Sequence, residues 1–246
     1  MKKMKAKLQF ILDKLYDERM IYQMLKSQKS NKDLKYQSKV TGINFDIAKK
    51  IAKASNPLEV RILIKEIVKQ RYEQNLKKIE KSKYNYQKSW DEINNNFFCR
   101  LTELTDFQPQ YEKYYCVISA FHPGISSWGG NKIARKFGFE PLKQRKITAH
   151  EIIISHFFSL IDKHYPKVKD DQQVWQLAEI YAFVITSKDN IMKSFWPWDK
   201  SAVDKGHNYS QLIPLQRELT SVLLKKGLKD FIKIGLMKTK SRLKVG

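Results

Sequence analysis

Residues 148–160 are apolar on nearly every side of a helix: Ile152, Ile153, Ile154, Phe157, Phe158 and Leu160 leave no polar stripe. A helix of that kind is buried, so the fold must wrap other elements around it. The run nevertheless contains His150 and Glu151. The following apolar segment, "VWQLAEIYAFVI", encloses a second carboxylate, Glu179. A carboxylate among apolar side chains is costly unless it is paired, ligated or protonated. Two such carboxylates in consecutive buried helices, one beside a histidine, mark the expected chemical centre. The bland alternative for Glu179 is a lysine partner or a place at the helix rim.

The rest of the chain supplies the covering elements. Residues 1–29 read as a helix, because Leu8, Ile11, Leu12, Leu15, Ile21, Tyr22 and Leu25 recur mostly at three- and four-residue spacing. "SQKSNKD" reads as a polar break, and Asn44 as the cap of a short helix ending at "SNP". A long helix is expected from Pro57 to about Trp90, its second half solvated. "KYYCVISAFHPG" and "NKIARKFGF" read as strands on either side of the loop "SSWGG". "FWPWD" (195–199) reads as a packed loop anchor, and "LIPLQRELTSVLLKKGLKDFIKIGLMK" as one or two closing helices. These readings divide the chain into a basic helical region, 1–90, and a second region, 91–246.

Composition narrows the partners. The net charge is +22, and residues 1–90 hold 23 basic against 9 acidic side chains. Arginine is scarce beside lysine, whereas phosphate and base readout favours the planar guanidinium fork. Specific nucleic-acid recognition is therefore not expected; weak polyanion contact at low salt is. Cys99 and Cys116 make neither a metal pair nor a disulfide framework. The basic N-terminal run is too short for a signal peptide, and no apolar stretch reaches membrane length, so a cytoplasmic protein away from membranes is expected.

The spacing around His150 defines the candidate chemistry. Hydrolytic zinc takes three protein ligands and a water, with a carboxylate to accept the water's proton. A helix offers two histidines to one metal when they are four residues apart. That position holds Ile154. His156 stands six residues on, about 240° round the helix and roughly 9 Å along it. Only a kink or a π-bulge would bring it to the same metal, and the alternative is a satisfied core histidine.

In order, "YYCVISAFHPG", "GGNKIARKFG", "TAHEIIISHFF" and "WQLAEIYAFVI" resemble the small HExxH-type zinc metallopeptidases of the gluzincin class. The resemblance implies an α+β, mainly α fold: a zincin-like core with a small antiparallel sheet, an active-site helix and a glutamate helix, preceded by the helical N-terminal region. It implies that His150 and Glu179 are zinc ligands and that Glu151 is the general base; Ile154 falls on the second ligand's place, for which His156 is the remaining metal candidate. Residues Ile133–Phe137 would be the edge strand that holds substrate, and His122 or Tyr181 would stabilise the reacting carbonyl. The expected cofactor is zinc, and the expected partner is a peptide or protein substrate. Ile154 opens the alternative of an inactive pseudopeptidase that binds a partner.

Overall fold

A computed structural model of the chain describes residues 6–28, 30–122, 124–125, 128–199 and 209–243. Strand β1 (Lys7–Ile11) leads into helices α1 (Lys14–Lys26), α2 (Asn31–Thr41), α3 (Phe45–Lys53), α4 (Pro57–Asp91) and α5 (Asn94–Thr105). Strands β2 (Lys113–Ser119), β3 (Gly124–Ile125) and β4 (Lys132–Lys136) follow. Helices α6 (Pro141–His164), α7 (Asp171–Lys188), α8 (Asn190–Ser194), α9 (Ile213–Lys226) and α10 (Leu228–Leu243) complete the order.

The four strands lie in the order β1-β2-β4-β3. β1, β2 and β4 run parallel, and only the two-residue β3 is antiparallel. This corrects the expected antiparallel sheet. The cause is β1, which residues 1–29 conceal. Leu8 and Phe10 point inward at period two, but Leu8, Ile11 and Leu12 also fit a helical spacing. β4 is flanked on both sides, so residues 133–137 are not the edge strand expected; β3 is at that edge.

The open side of β1 is closed by side chains rather than by a strand. Asn94 accepts from Leu8 N at 3.1 Å and donates to Ala6 O at 3.1 Å. Gln87 accepts from Phe10 N at 2.8 Å and donates to Leu8 O at 3.1 Å. Two amide side chains thereby satisfy backbone groups that a bare edge would present to other chains.

Helix α4 starts where Asn56 caps it and Pro57 presets the first turn. Val60, Ile64, Val68, Tyr72, Ile79, Tyr86 and Trp90 form its inward stripe at spacings of four and seven. That stripe packs on α1, β1 and α6, and one continuous core joins residues on both sides of position 90. The boundary expected there falls inside α4. On α1, Asp17 is fully buried; its carboxylate accepts from Ala120 N and Tyr72 Oη, both at 3.0 Å. It thereby ties α1 and α4 to the end of β2. No helix among the described residues is long and apolar enough to cross a membrane.

Candidate functional site

The centre forms where α6 packs against α7 on one side and against β3 and β4 on the other. Helix α6 begins at Pro141, capped by Glu140, which accepts from Leu142 N and Lys143 N. Helix α7 begins after Asp170, which accepts from Gln172 N and Gln173 N. These caps fix the phase of each helix, and the phase decides which residues face each other.

His150 Nε2 lies 3.0 Å from Glu179 Oε2. Trp175, one turn earlier on α7, donates its Nε1 hydrogen to Glu179 Oε1 at 3.0 Å. Both oxygens of Glu179 are thus held, which answers the cost of burying it. Burial disfavours the charged imidazole of His150, but the hydrogen bond and charge of Glu179, with Glu151 nearby, outweigh it and raise the pKa. The His150 side chain remains 21% exposed while that of Glu179 is 7% exposed, so the pair is reached from the histidine side.

Glu151 is answered by a different cation. Arg135 on β4 is buried, and its Nε donates to Gln144 Oε1 at 2.7 Å. Burial works against its charge, and Glu151 is the main group supporting it. The two side chains meet under Gly124 of β3. A Cβ there would overlap Arg135 Nη1 and lie 2.7 Å from Glu151 Oε1, so both side-chain ends would have to shift.

The neighbouring aromatic is Tyr209, whose ring meets Trp175 edge-on at 5.2 Å. Burial, with the charges of Glu179 and Glu151, pushes its hydroxyl up to about 12. No family model, curated protein or solved structure matches this chain. The site therefore rests on its own geometry.

That geometry brings together His150, Glu151 and Glu179. It does not bring His156. Helix α6 is continuous, and His156 points into the α5 side, where its Nε2 is 3.0 Å from Thr105 Oγ1 and its ring 5.1 Å from Phe107. The metal role expected for His156 is corrected accordingly: the 240° of helical rotation is not undone. Ile154 is 1% exposed and belongs to the core. Among the described residues no group of three or more His, Cys, Asp or Glu side chains is arranged to hold a metal ion.

Of the two carbonyl stabilisers expected by resemblance, Tyr181 falls in the core and His122 beside the centre, under β3. Tyr181 is buried between Phe157 and Phe231, at 5.4 and 5.9 Å. His122 accepts from Gly124 N through Nδ1 at 3.0 Å, and burial, together with the Arg135 charge, depresses it to about 4. It is a neutral turn residue that positions β3. His207, expected as a loop residue of "DKGHNYS", lies outside the described residues. Phe195–Asp199 is the expected anchor: Trp196 Nε1 donates to Thr186 O at 2.9 Å, and Arg145 lies 5.7 Å from the Trp198 ring centre.

Arg135 and Tyr209 are the site residues that sequence reasoning missed. Alternation gives no signal for Arg135, because Ile133, Ala134 and Arg135 are all buried and β4 has no polar face. Tyr209 carried none, because its approach to Trp175 depends on tertiary packing.

Proposed function

We propose that this chain is a metallopeptidase-like protein whose centre is His150, Glu151 and Glu179, acting on peptide bonds. The observation that supports it is the meeting of His150 Nε2 and Glu179 Oε2 at 3.0 Å across consecutive helices, with Glu151 at the adjacent position of α6. An imidazole nitrogen and a carboxylate oxygen are donor types that zinc takes. The described residues supply two of the three protein ligands of a hydrolytic zinc, so the fit is partial. Zinc, when bound, supplies a polarised water.

The chain's own residues do the rest. Trp175 fixes the orientation of Glu179, and Glu179 fixes that of His150. Glu151 is the group that takes a proton. The buried guanidinium of Arg135 favours its ionised form, the form a base requires.

A second reading, a pseudopeptidase that keeps the fold and binds a partner, is favoured by the burial of Ile154 in the α6 position that a second ligand would need. Metal analysis of the purified protein separates the two. Stoichiometric zinc that is lost in Glu179→Ala, with peptide cleavage lost in Glu151→Gln while zinc is retained, is the result expected of the first reading. Zinc-free protein that cleaves no peptide supports the second. If Ile154→His also restores neither zinc nor cleavage, the metallopeptidase alignment fails altogether.

A further inference from the structure

On the N-terminal helices, away from the α6–α7 centre, α1 and α4 enclose an open trough of about 530 Å³. Its floor and lips include Leu15 and Tyr22 from α1 and Leu58 and Ile62 from α4. Leu15 is 60% exposed, Leu58 65% and Ile62 61%. Single exposed leucines need no explanation. Three gathered on one concave feature form a patch of the kind that marks an interaction site. Their spacing is regular. Leu58 and Ile62 are four apart on α4, and Leu15 and Tyr22 seven apart on α1, so both walls present an apolar stripe.

The rim is cationic. Arg19 stands on α1 between Leu15 and Tyr22, and Arg61 and Lys65 stand four apart on α4. None of the three makes an ion pair among the described residues; Glu18 is the single acidic group of the trough. An apolar floor between two cationic lips is the complement of an amphipathic helix whose flanks are acidic.

Charge also decides among other occupants. A second copy would bring its own +22 charge to a cationic rim. A nucleic acid would satisfy the rim but leave the leucines and isoleucine uncovered. A lipid surface meets convex helix faces, whereas these apolar side chains line a recess.

We propose that the α1–α4 trough docks an acidic amphipathic helix of a partner protein. Leu15, Leu58 and Ile62 receive its apolar face, and Arg19, Arg61 and Lys65 pair with its carboxylates. The contact is independent of any chemistry at His150.

The test uses the full chain and a fluorescent helical peptide with leucines at i, i+4, i+7 and i+11 and glutamates on its flanks. Fluorescence anisotropy should give micromolar binding that weakens with salt. A peptide of the same composition with scrambled leucines should bind roughly tenfold more weakly, and Ile62→Asp and Arg61→Glu should each weaken the ordered peptide by a similar factor. Both positions are solvent-facing, and Leu15→Asp on the opposite wall is the second apolar variant if Ile62→Asp unfolds. Equal binding of ordered and scrambled peptides overturns the proposal in favour of a general polyanion surface. So does the absence of binding. Stronger capture by phosphatidylserine vesicles, lost in Ile62→Asp, overturns it in favour of a lipid contact. Self-association seen by sedimentation and abolished by Ile62→Asp overturns it in favour of a second copy.

Discussion

His156 is neutral in the folded protein, and replacing it by phenylalanine should remove a measurable part of the acid sensitivity. The imidazole is fully buried, and burial depresses its pKa to about 3. Thr105 Oγ1 donates to Leu101 O at 2.7 Å, which spends its one hydrogen. Its 3.0 Å contact with His156 therefore has Nε2–H as the donor, leaving Nδ1 as the buried site that acid would protonate. The folded pKa lies below the unfolded value near 6.5. Protons then bind the unfolded chain preferentially, so this residue's contribution is intact above pH 6.5 and falls as the pH drops toward 3. Between pH 7 and pH 5 the linkage amounts to about 2 kcal/mol.

His156→Phe keeps a ring against Phe107 and leaves Thr105 bonded to Leu101 O. Urea unfolding of both proteins at pH 7 and pH 5 gives the double difference. The wild type should lose about 2 kcal/mol more than the variant. Asp17 titrates in the same window with the opposite sign, since burial raises it to about 6. The comparison cancels it, because both proteins retain it. Equal losses in the two proteins would refute the assignment of His156 as a buried neutral residue. A fall in bound metal in His156→Phe would refute its separation from the centre.

Two further outcomes follow from packing. Gly124→Ala presses a methyl against the ends of Arg135 and Glu151, which must shift, and should cost about 1 kcal/mol in chemical denaturation; a raised midpoint would mean that the two ends do not lie there. Asn94→Ala strands Leu8 N, Ala6 O and Trp90 Nε1, and a loss of about 3–5 kcal/mol is expected. A loss below that of Gln87→Ala, whose partners are less buried, would contradict this account of the β1 edge.

The long elements were legible because their apolar periods are long. The stripe of α4, the all-round apolar surface of α6 and the buried run of α7 each leave one interpretation. The short strands were not. Five residues of β1 satisfy two periods at once, and the parallel pairing of the sheet depends on that strand. β3 has two residues, too few for any period, so the edge was assigned to its neighbour β4. At the site, the two carboxylates in apolar runs pointed to helices that do meet, through His150 and Glu179, and helix geometry separated His156 from His150. What was not legible was Arg135, which reaches Glu151 through tertiary packing; the Trp175–Glu179 contact is a local i, i+4 pair within α7.

Those partners bear on the choice between the two readings of the centre. Each carboxylate, buried Glu179 and half-buried Glu151, has its own counter-group among the described residues: Glu179 has His150 and the Trp175 N–H, and Glu151 has Arg135. Glu179 and Glu151 raise the proton affinity of the His150 imidazole, and Arg135 is a cation beside Glu151. A divalent cation entering this centre must displace the imidazole proton and then sit near the Arg135 guanidinium. Both effects weaken the first step of metal capture, and the buried Ile154 offers no donor in return. The same balance permits stable burial of the carboxylates without a metal. Retention of the His–Glu geometry in a peptide-binding protein therefore needs no metal to maintain it, and zinc stoichiometry, rather than stability, is the measurement that discriminates.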